Sequence, residues 1–446
     1  MAVDNISSKC QFHICTCVHI EEEKMTNFKK ISGAAVGLAA LIAAGSVHAQ
    51  QTTITLLTAE REDTMKPVIE GFEKLHPDIK VVHQSVPFND LNAAVESRIG
   101  QGDTSIDVIA ADTPRIPAFA SKGYLKDLSD RADKIKAGAP NPVDIEQVSY
   151  DGKIYAYPMW TSTQMLYYNR AVLKKAGVEL PSGDIDKRMT WDQVIDAAKA
   201  AQKGGAKWGI EFQQFDRYYQ LQALFESSGA GSGLTGDGLL KSDVSSEAWA
   251  KTAKWYGDLF TDGLAPRGVT PEQTDDLFFN GEVAFLVGGP WSIQRFEAAK
   301  DLDYGVAPHP YFKGGKPVTA TGSWSLAINP KTTHLEAAQA FAEYATLTGE
   351  GNFLTTKNNP VPPTNPDAFK TYADNMASLA SKIGPVVDII NYELKNTAVG
   401  RPRTIGFVAF ETIMNKAFAD IRNGSDAAET LKAADKQIDR QLSRLK

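Results

Sequence analysis

TTITLLTAEREDTMKPVIEGFEKLHPDIKVVHQSVPFNDLNAAVESRIGQGDTSIDVIAA, residues 52–111, is the stretch whose reading decides the fold. Thr52–Thr58 is rich in β-branched residues and ends in the polar turn Ala59-Glu60-Arg61-Glu62-Asp63. Met65, Val68, Ile69, Phe72 and Leu75 then recur at helical spacing until His76-Pro77 stops the pattern. Ile79–Val86 reads as a second strand, and Leu91, Ala94, Val95 and Ile99 as a second amphipathic helix closed by Gly100-Gln101-Gly102. Ile106–Ala111 is almost continuously apolar, the pattern of a strand covered by helices on both faces. Three strand–helix units at this spacing predict a parallel sheet in an α/β fold, with its functional rim at the carboxyl ends of the strands.

The same logic continues outward with longer helices. Ile154–Trp160 and Met165–Asn169 read as strands that leave the first domain. Thr190-Trp191-Asp192-Gln193 resembles a capping box and starts a helix to about Gln202. Trp208–Gln213, Glu282–Val287 and Asp303–Pro308 are further strands, with Ser245–Asp262 a long helix among them. Beyond Val318–Asn329 the chain is mainly helical, over Glu336–Leu347, Ala368–Ser381 and Phe407–Arg422. Asn358–Asn365, with three prolines, is the strongest loop signal. The chain has no internal repeat and no linker-like composition, which favours two lobes sharing several crossovers over separate beads.

Composition narrows the function. The 446 residues are 43% hydrophobic and 23% charged, an ordinary globular balance that leaves room for two or three domains. A net charge of −7, from 47 Lys+Arg and 54 Asp+Glu, argues against a nucleic-acid partner. Cys10, Cys15 and Cys17 are the only cysteines, and their spacing matches no zinc pattern. Met25 opens a short basic segment with Lys29 and Lys30; an apolar run from Gly33 to Ala44 and the small-residue pattern Val47-His48-Ala49 follow. That is the architecture of a secretory signal and too short for a transmembrane helix. Residues 1–24 are therefore expected to be an over-extended gene start, and 25–49 a signal peptide removed before Gln50. Without a cysteine at the cleavage point the product is expected to be a soluble periplasmic protein, not a lipoprotein. Residues 50–446 keep the −7, since the removed part carries four Lys and four Asp/Glu. They contain no thiol for catalysis, disulfides or metal binding.

Several runs are weak alone and specific in their order. They are Phe72–Val81, Ile106–Asp112, Tyr150-Asp-Gly-Lys-Ile-Tyr-Ala-Tyr-Pro158 and Leu166-Tyr-Tyr-Asn169. Further on come Phe279-Asn-Gly-Glu-Val-Ala-Phe-Leu-Val-Gly-Gly-Pro-Trp291, Tyr304-Gly-Val306 and Gly322–Ile328. In these the chain resembles extracellular solute-binding proteins of the carbohydrate-binding, maltose-binding-protein-like family, the periplasmic receptors of ABC importers. The resemblance spans essentially all of residues 50–446. It implies a two-lobed flytrap with several hinge crossovers that closes on a sugar, and patches that dock on the membrane permease subunits. The first lobe is expected at 50–160 with part of 325–365. The second is expected at 163–320, with helices of about 366–446 packing on or across the lobes. A monomer without cofactor or metal is expected.

A sugar needs polar groups for its hydroxyls and aromatic faces for its C–H bonds. Matching the family's contact segments gives Glu60 and Arg61, beside Thr58, after the first strand. Asp112 follows the third strand, with Thr113 and Arg115 beyond it; the family commonly places a hydroxyl-accepting carboxylate here, while a helix N-cap is its structural alternative. Trp160 and Thr161, followed by Ser162, fall in the first crossover, where a tryptophan could equally be core. Asp216, Arg217 and Tyr218 follow a second-lobe strand. Trp291 follows Gly288-Gly289-Pro290, where the family puts a stacking aromatic and the glycines allow close approach. Gly322, Ser323 and Trp324 lie at the returning crossover. Arg403, or Arg401 across Pro402, is expected to reach the cleft. The arginines at 61, 115, 217, 401 and 403 keep an anionic sugar derivative open as the ligand.

A secreted glycoside hydrolase is the competing class, because Glu60, Asp112, Glu211 and Asp216 could supply a carboxylate pair. No nucleophile elbow, HExxH, phosphate loop or dinucleotide-binding glycine pattern occurs. A receptor for another small solute is the third reading, disfavoured by the Trp291 and Trp324 pair.

Overall fold

A computed structural model of the protein describes residues 51–322, 324–380 and 383–445. The expected leader and the three cysteines lie outside these residues, as does Ser323. The opening forms β1 (Thr52–Thr58), β2 (Ile79–Ser85) and β3 (Val108–Asp112), with helices Glu62–Leu75 and Phe88–Arg98 between them. After β4 (Tyr157–Pro158) the chain crosses over to build β5 (Met165–Asn169), β6 (Trp208–Phe212), β7 (Val283–Gly288) and β8 (Tyr304–Pro308). It returns through β9 (Thr319–Ala320) to β10 (Trp324–Ile328), and later adds β11 (Ala398–Val399) beside β9.

One sheet has the order β2-β1-β3-β10-β4 and the other β8-β5-β7-β6. β1 is parallel to both β2 and β3, as the strand–helix rhythm predicts. β10 runs antiparallel to β3, and β5 antiparallel to β7, so both sheets are mixed. The reason is connectivity. β10 re-enters the first sheet directly from a crossover, without the helix that a parallel connection needs.

Each sheet has its own apolar core. Around the first, Leu56, Val68, Phe72, Val108, Ile109 and Phe341 are buried together. Around the second, Trp191, Phe212, Phe225, Trp249 and Phe418 form one cluster, in which Phe225 and Trp249 stack with centroids 3.7 Å apart. Tyr167, Phe278, Phe296 and Tyr304 lead another on the opposite face of that sheet. The C-terminal helices Phe407–Arg422 and Ala427–Leu442 pack through Phe418, Ile421 and Ile438 onto this second lobe.

Three strands of backbone run between the lobes, at 159–164, 309–322 and 357–365. They are stitched side by side. Thr161 N donates to Pro362 O at 2.9 Å, and Thr163 Oγ1 to Thr319 Oγ1 at 3.2 Å. The proline-rich loop predicted from sequence is thus one of the crossovers. No described helix is long and apolar enough to cross a membrane.

Candidate functional site

Strand ends and crossovers from both lobes enclose a cavity of about 1130 Å³, just above the usual range for small-molecule sites. Its floor is ionic. β3 ends at Asp112, whose Oδ2 accepts from Arg115 Nη1 and from Arg401 Nη1, each at 2.7 Å. Arg401 Nη2 donates to Asp112 Oδ1, and Arg115 Nη2 to Glu411. Arg401 Nη1 also lies 3.7 Å from Glu411 Oε1, and none of the four side chains is more than 9% exposed. Asp112 and Arg115 belong to the first lobe. Glu411 is on a second-lobe helix, and Arg401 follows β11 on the same side. Asp112 makes no side-chain cap, so the N-cap alternative does not hold. Nor is it an open hydroxyl acceptor, because two guanidiniums occupy its oxygens.

Aromatic rings form the walls. Trp291 is half-buried, and its Nε1 donates to Gln213 Oε1 at 2.7 Å. Gln213 Nε2 in turn donates to Asp275 Oδ1 at 2.7 Å and Ser292 Oγ at 2.6 Å, which fixes the amide and hence the indole. Burial raises the Asp275 carboxyl above the usual carboxylate range, although Ser292 and Arg295 oppose the shift. Across from Trp291, at 6.4 Å between centroids, stands Tyr219. Its OH is 2.8 Å from Ser162 Oγ, which also donates to Gly322 O at 2.8 Å. A Cβ on Gly322 would fall 2.5 Å from Tyr219 Cε2, so this glycine is required by the tyrosine ring.

The first lobe contributes Trp324 and Phe88, half-buried and perpendicular to one another at 5.8 Å. Trp160 borders the cavity but is 2% exposed, with its Nε1 donating to Thr355 Oγ1 at 2.6 Å, so its core alternative describes most of it. Thr161 Oγ1 lies 3.2 Å from Thr321 Oγ1. Glu60 accepts a long contact from Asn359 at 3.4 Å. Burial pushes its carboxyl up to about 7, against the pull of the neighbouring Arg61. Arg61 borders the cavity as well, yet forks onto Asp63 at 2.9 and 2.8 Å.

The structure therefore brings Glu60, Arg61, Asp112, Trp160, Thr161, Trp291, Gly322 and Trp324 to one cavity and leaves three expected residues off its lining. Tyr218 is fully buried, donates its OH to Ser232 O at 2.6 Å, and packs edge-on against Phe410. It begins the helix Tyr218–Ser228, and the helical phase turns its neighbour Tyr219 to the cavity instead. Asp216 faces Arg422, 3.7 Å away. Arg403 bonds Glu146 at 3.2 Å and the carbonyl of Ser149, because Pro402 aims it away from Arg401. Phe88 and Glu411 were not singled out from sequence. Phe88 follows the carboxyl end of β2, where the rim rule would have pointed to it. Glu411 lies inside a helix distant in sequence and gives no such signal.

The family model described as bacterial extracellular solute-binding protein matches residues 58–351. Maltodextrin-binding protein MdxE of Bacillus subtilis is 28% identical over 341 residues, covering 74% of this chain and 78% of its own. The galactooligosaccharide-binding protein of the same organism is 27% identical over 347 residues, covering 74% and 75%. Among solved structures, the GacH receptor of Streptomyces glaucescens, determined unliganded and with acarbose, superposes with a TM-score of 0.75 at 24% identity over 88% of this chain and 99% of its own. Lmo0181 of Listeria monocytogenes, in complex with cycloalternan, gives 0.76 at 23% identity with the same coverage. These likenesses establish the two-lobed fold, and the family match covers more than half of the sequence. The chain belongs to the bacterial extracellular solute-binding proteins.

Proposed function

We propose that the protein captures a neutral saccharide between its lobes and delivers it to the membrane subunits of an ABC importer. The observation that carries this reading is the aromatic lining contributed by both lobes, Trp291 and Tyr219 from the second and Trp324 and Phe88 from the first. Rings so placed suit the C–H faces of sugars. The family and the names of the two Bacillus relatives support the same ligand class. Neutrality follows from pairing. Five arginines (Arg61, Arg115, Arg217, Arg295, Arg401) line the cavity. Arg61, Arg115, Arg295 and Arg401 are held by carboxylates of the protein. The arginine count that favoured an anionic sugar is thereby offset.

The protein binds its ligand and does not convert it, working outside the cytoplasm as a periplasmic protein without a lipid anchor. Its lobes are drawn at 50–160 with 325–365 and at 163–320 with the helices of 366–446. A thermal-shift screen of neutral and anionic saccharides tests the reading. A neutral oligosaccharide should raise the melting temperature and be recovered unchanged by mass spectrometry. Trp291→Ala should weaken it roughly 30-fold, or about 2 kcal/mol, as for a central aromatic anchor. Stabilisation by anionic sugars alone, or recovery of cleaved product, would overturn it.

A further inference from the structure

Besides the deeply buried ion pairs of its floor, the cavity has half-buried lining residues, and among these Phe88 and Arg217 meet. Phe88 opens a first-lobe helix directly after β2, and Arg217 immediately precedes the second-lobe helix Tyr218–Ser228. The guanidinium carbon of Arg217 lies 4.4 Å from the centroid of the Phe88 ring, a cation–π distance. The same ring stands perpendicular to Trp324 at 5.8 Å. All three residues line the cavity and all three are half-buried.

We propose that Phe88 and Arg217 are specificity-determining residues: they bridge the lobes beside Trp324 and so cap the length of saccharide the closed protein can hold. The proposal rests on the saccharide reading above. A sugar ring lying on Trp324 can be enclosed under the bridge. A chain extending past Phe88 must displace the guanidinium from the phenyl face and hold the lobes apart. A contact of this type is strong enough to bias closure and weak enough to open on each binding cycle. The positive charge matters as much as the ring, since the attraction is between a cation and the negative face of the aromatic system.

Two readouts test this on the same variants. Residues 50–446 lack cysteine, so Lys136→Cys and Lys251→Cys, exposed on first- and second-lobe helices, can carry a spin-label pair. Arg217→Ala and Phe88→Ala should add a longer-distance population, while Arg217→Lys should keep the parent distribution. Titration with maltose, maltotriose and maltoheptaose should show both alanine variants gaining roughly fivefold for the longest chain relative to the shortest, the size of one cation–π contact. Arg217→Lys should retain the parent's preference. Unchanged distances in both alanine variants overturn the bridge, and an unchanged length preference overturns the cap. If the parent binds none of these glucans, the same comparison is made with short and long members of the neutral oligosaccharide series found in the thermal-shift screen; if that screen yields no neutral saccharide, the saccharide reading fails and the cap with it, while the distances still judge the bridge.

Discussion

Gly289 has an ordinary φ of −98°, so its identity has to be explained by space. A Cβ there would lie 2.0 Å from Cζ3 and 2.1 Å from Cη2 of Trp291. The glycine exists for the ring beside it, and Gly289→Ala must push the indole off its bond to Gln213. Ligand affinity is expected to fall toward that of Trp291→Ala, roughly 30-fold, with a shifted tryptophan emission spectrum and a small change in melting temperature. Calorimetry giving parental affinity would refute it. The Gly-Gly-Pro-Trp run stood out in sequence because glycines allow a close approach, but that approach was expected of the ligand, whereas Gly289 makes room for the Trp291 ring. Its neighbours in the site were harder. Tyr218 and Tyr219 are chemically alike and adjacent, and only the phase of the following helix decides which one reaches the cavity. Arg401 and Arg403 differ in the same way, across one proline.

At the scale of elements, strand limits were legible where a capping residue marks them. Met165–Asn169 matches its reading to the residue, because the Asn169 side chain accepts from Val172 N at 3.0 Å and starts the next helix. Ile154–Trp160 does not survive as one strand. Asp151 and Gly152 take positive φ values of 48° and 74°, and the turn they make folds Lys153–Ile154 back onto Ser149–Tyr150. β6 carries a feature that periodicity conceals. Glu211 is 1% exposed in the middle of an apolar strand, and neither carboxyl oxygen meets a protein hydrogen-bond partner. Burial, reinforced by Asp275 and Glu282, pushes it up from 4.5 to about 9. The folded state then holds a proton that the unfolded state releases above about 4.5. Stability must fall with rising pH across that window, by up to about 1.4 kcal/mol per pH unit from this group. Glu211→Gln, which cannot ionise, should remove this contribution. Its urea midpoint should exceed the parent's at pH 8, with the gap narrowing toward pH 5. A constant gap across that range would show that Glu211 is charged in the folded protein.

For the whole molecule, the decisive arrangement is the floor that joins the lobes. Asp112 and Arg115 come from the first lobe, Arg401 and Glu411 from the C-terminal part packed on the second, with close to 300 residues between partners such as Arg115 and Glu411. No local pattern could reveal that pairing, whereas the α/β class and the two lobes were readable because they rest on local periodicity repeated many times. The pairing also governs what the cleft accepts. Two arginines against two carboxylates leave no net charge on the floor, and both arginines are buried where an uncompensated charge costs several kcal/mol. Asp112→Asn removes one negative charge while keeping the shape. It should destabilise the protein by about 3 kcal/mol and leave the floor with an unbalanced guanidinium. An anionic saccharide supplies the missing charge. The variant should therefore gain stabilisation from oligogalacturonate at low salt, and lose that gain as ionic strength rises, because its effect is electrostatic. Glu411→Gln should behave alike, since it removes the other carboxylate of the same set. Arg401→Met, which tips the balance the opposite way, should gain nothing from the anionic sugar. Equal responses to oligogalacturonate from the parent and all three variants would mean that the floor does not select ligand charge, and neutrality of the ligand would then need a different cause.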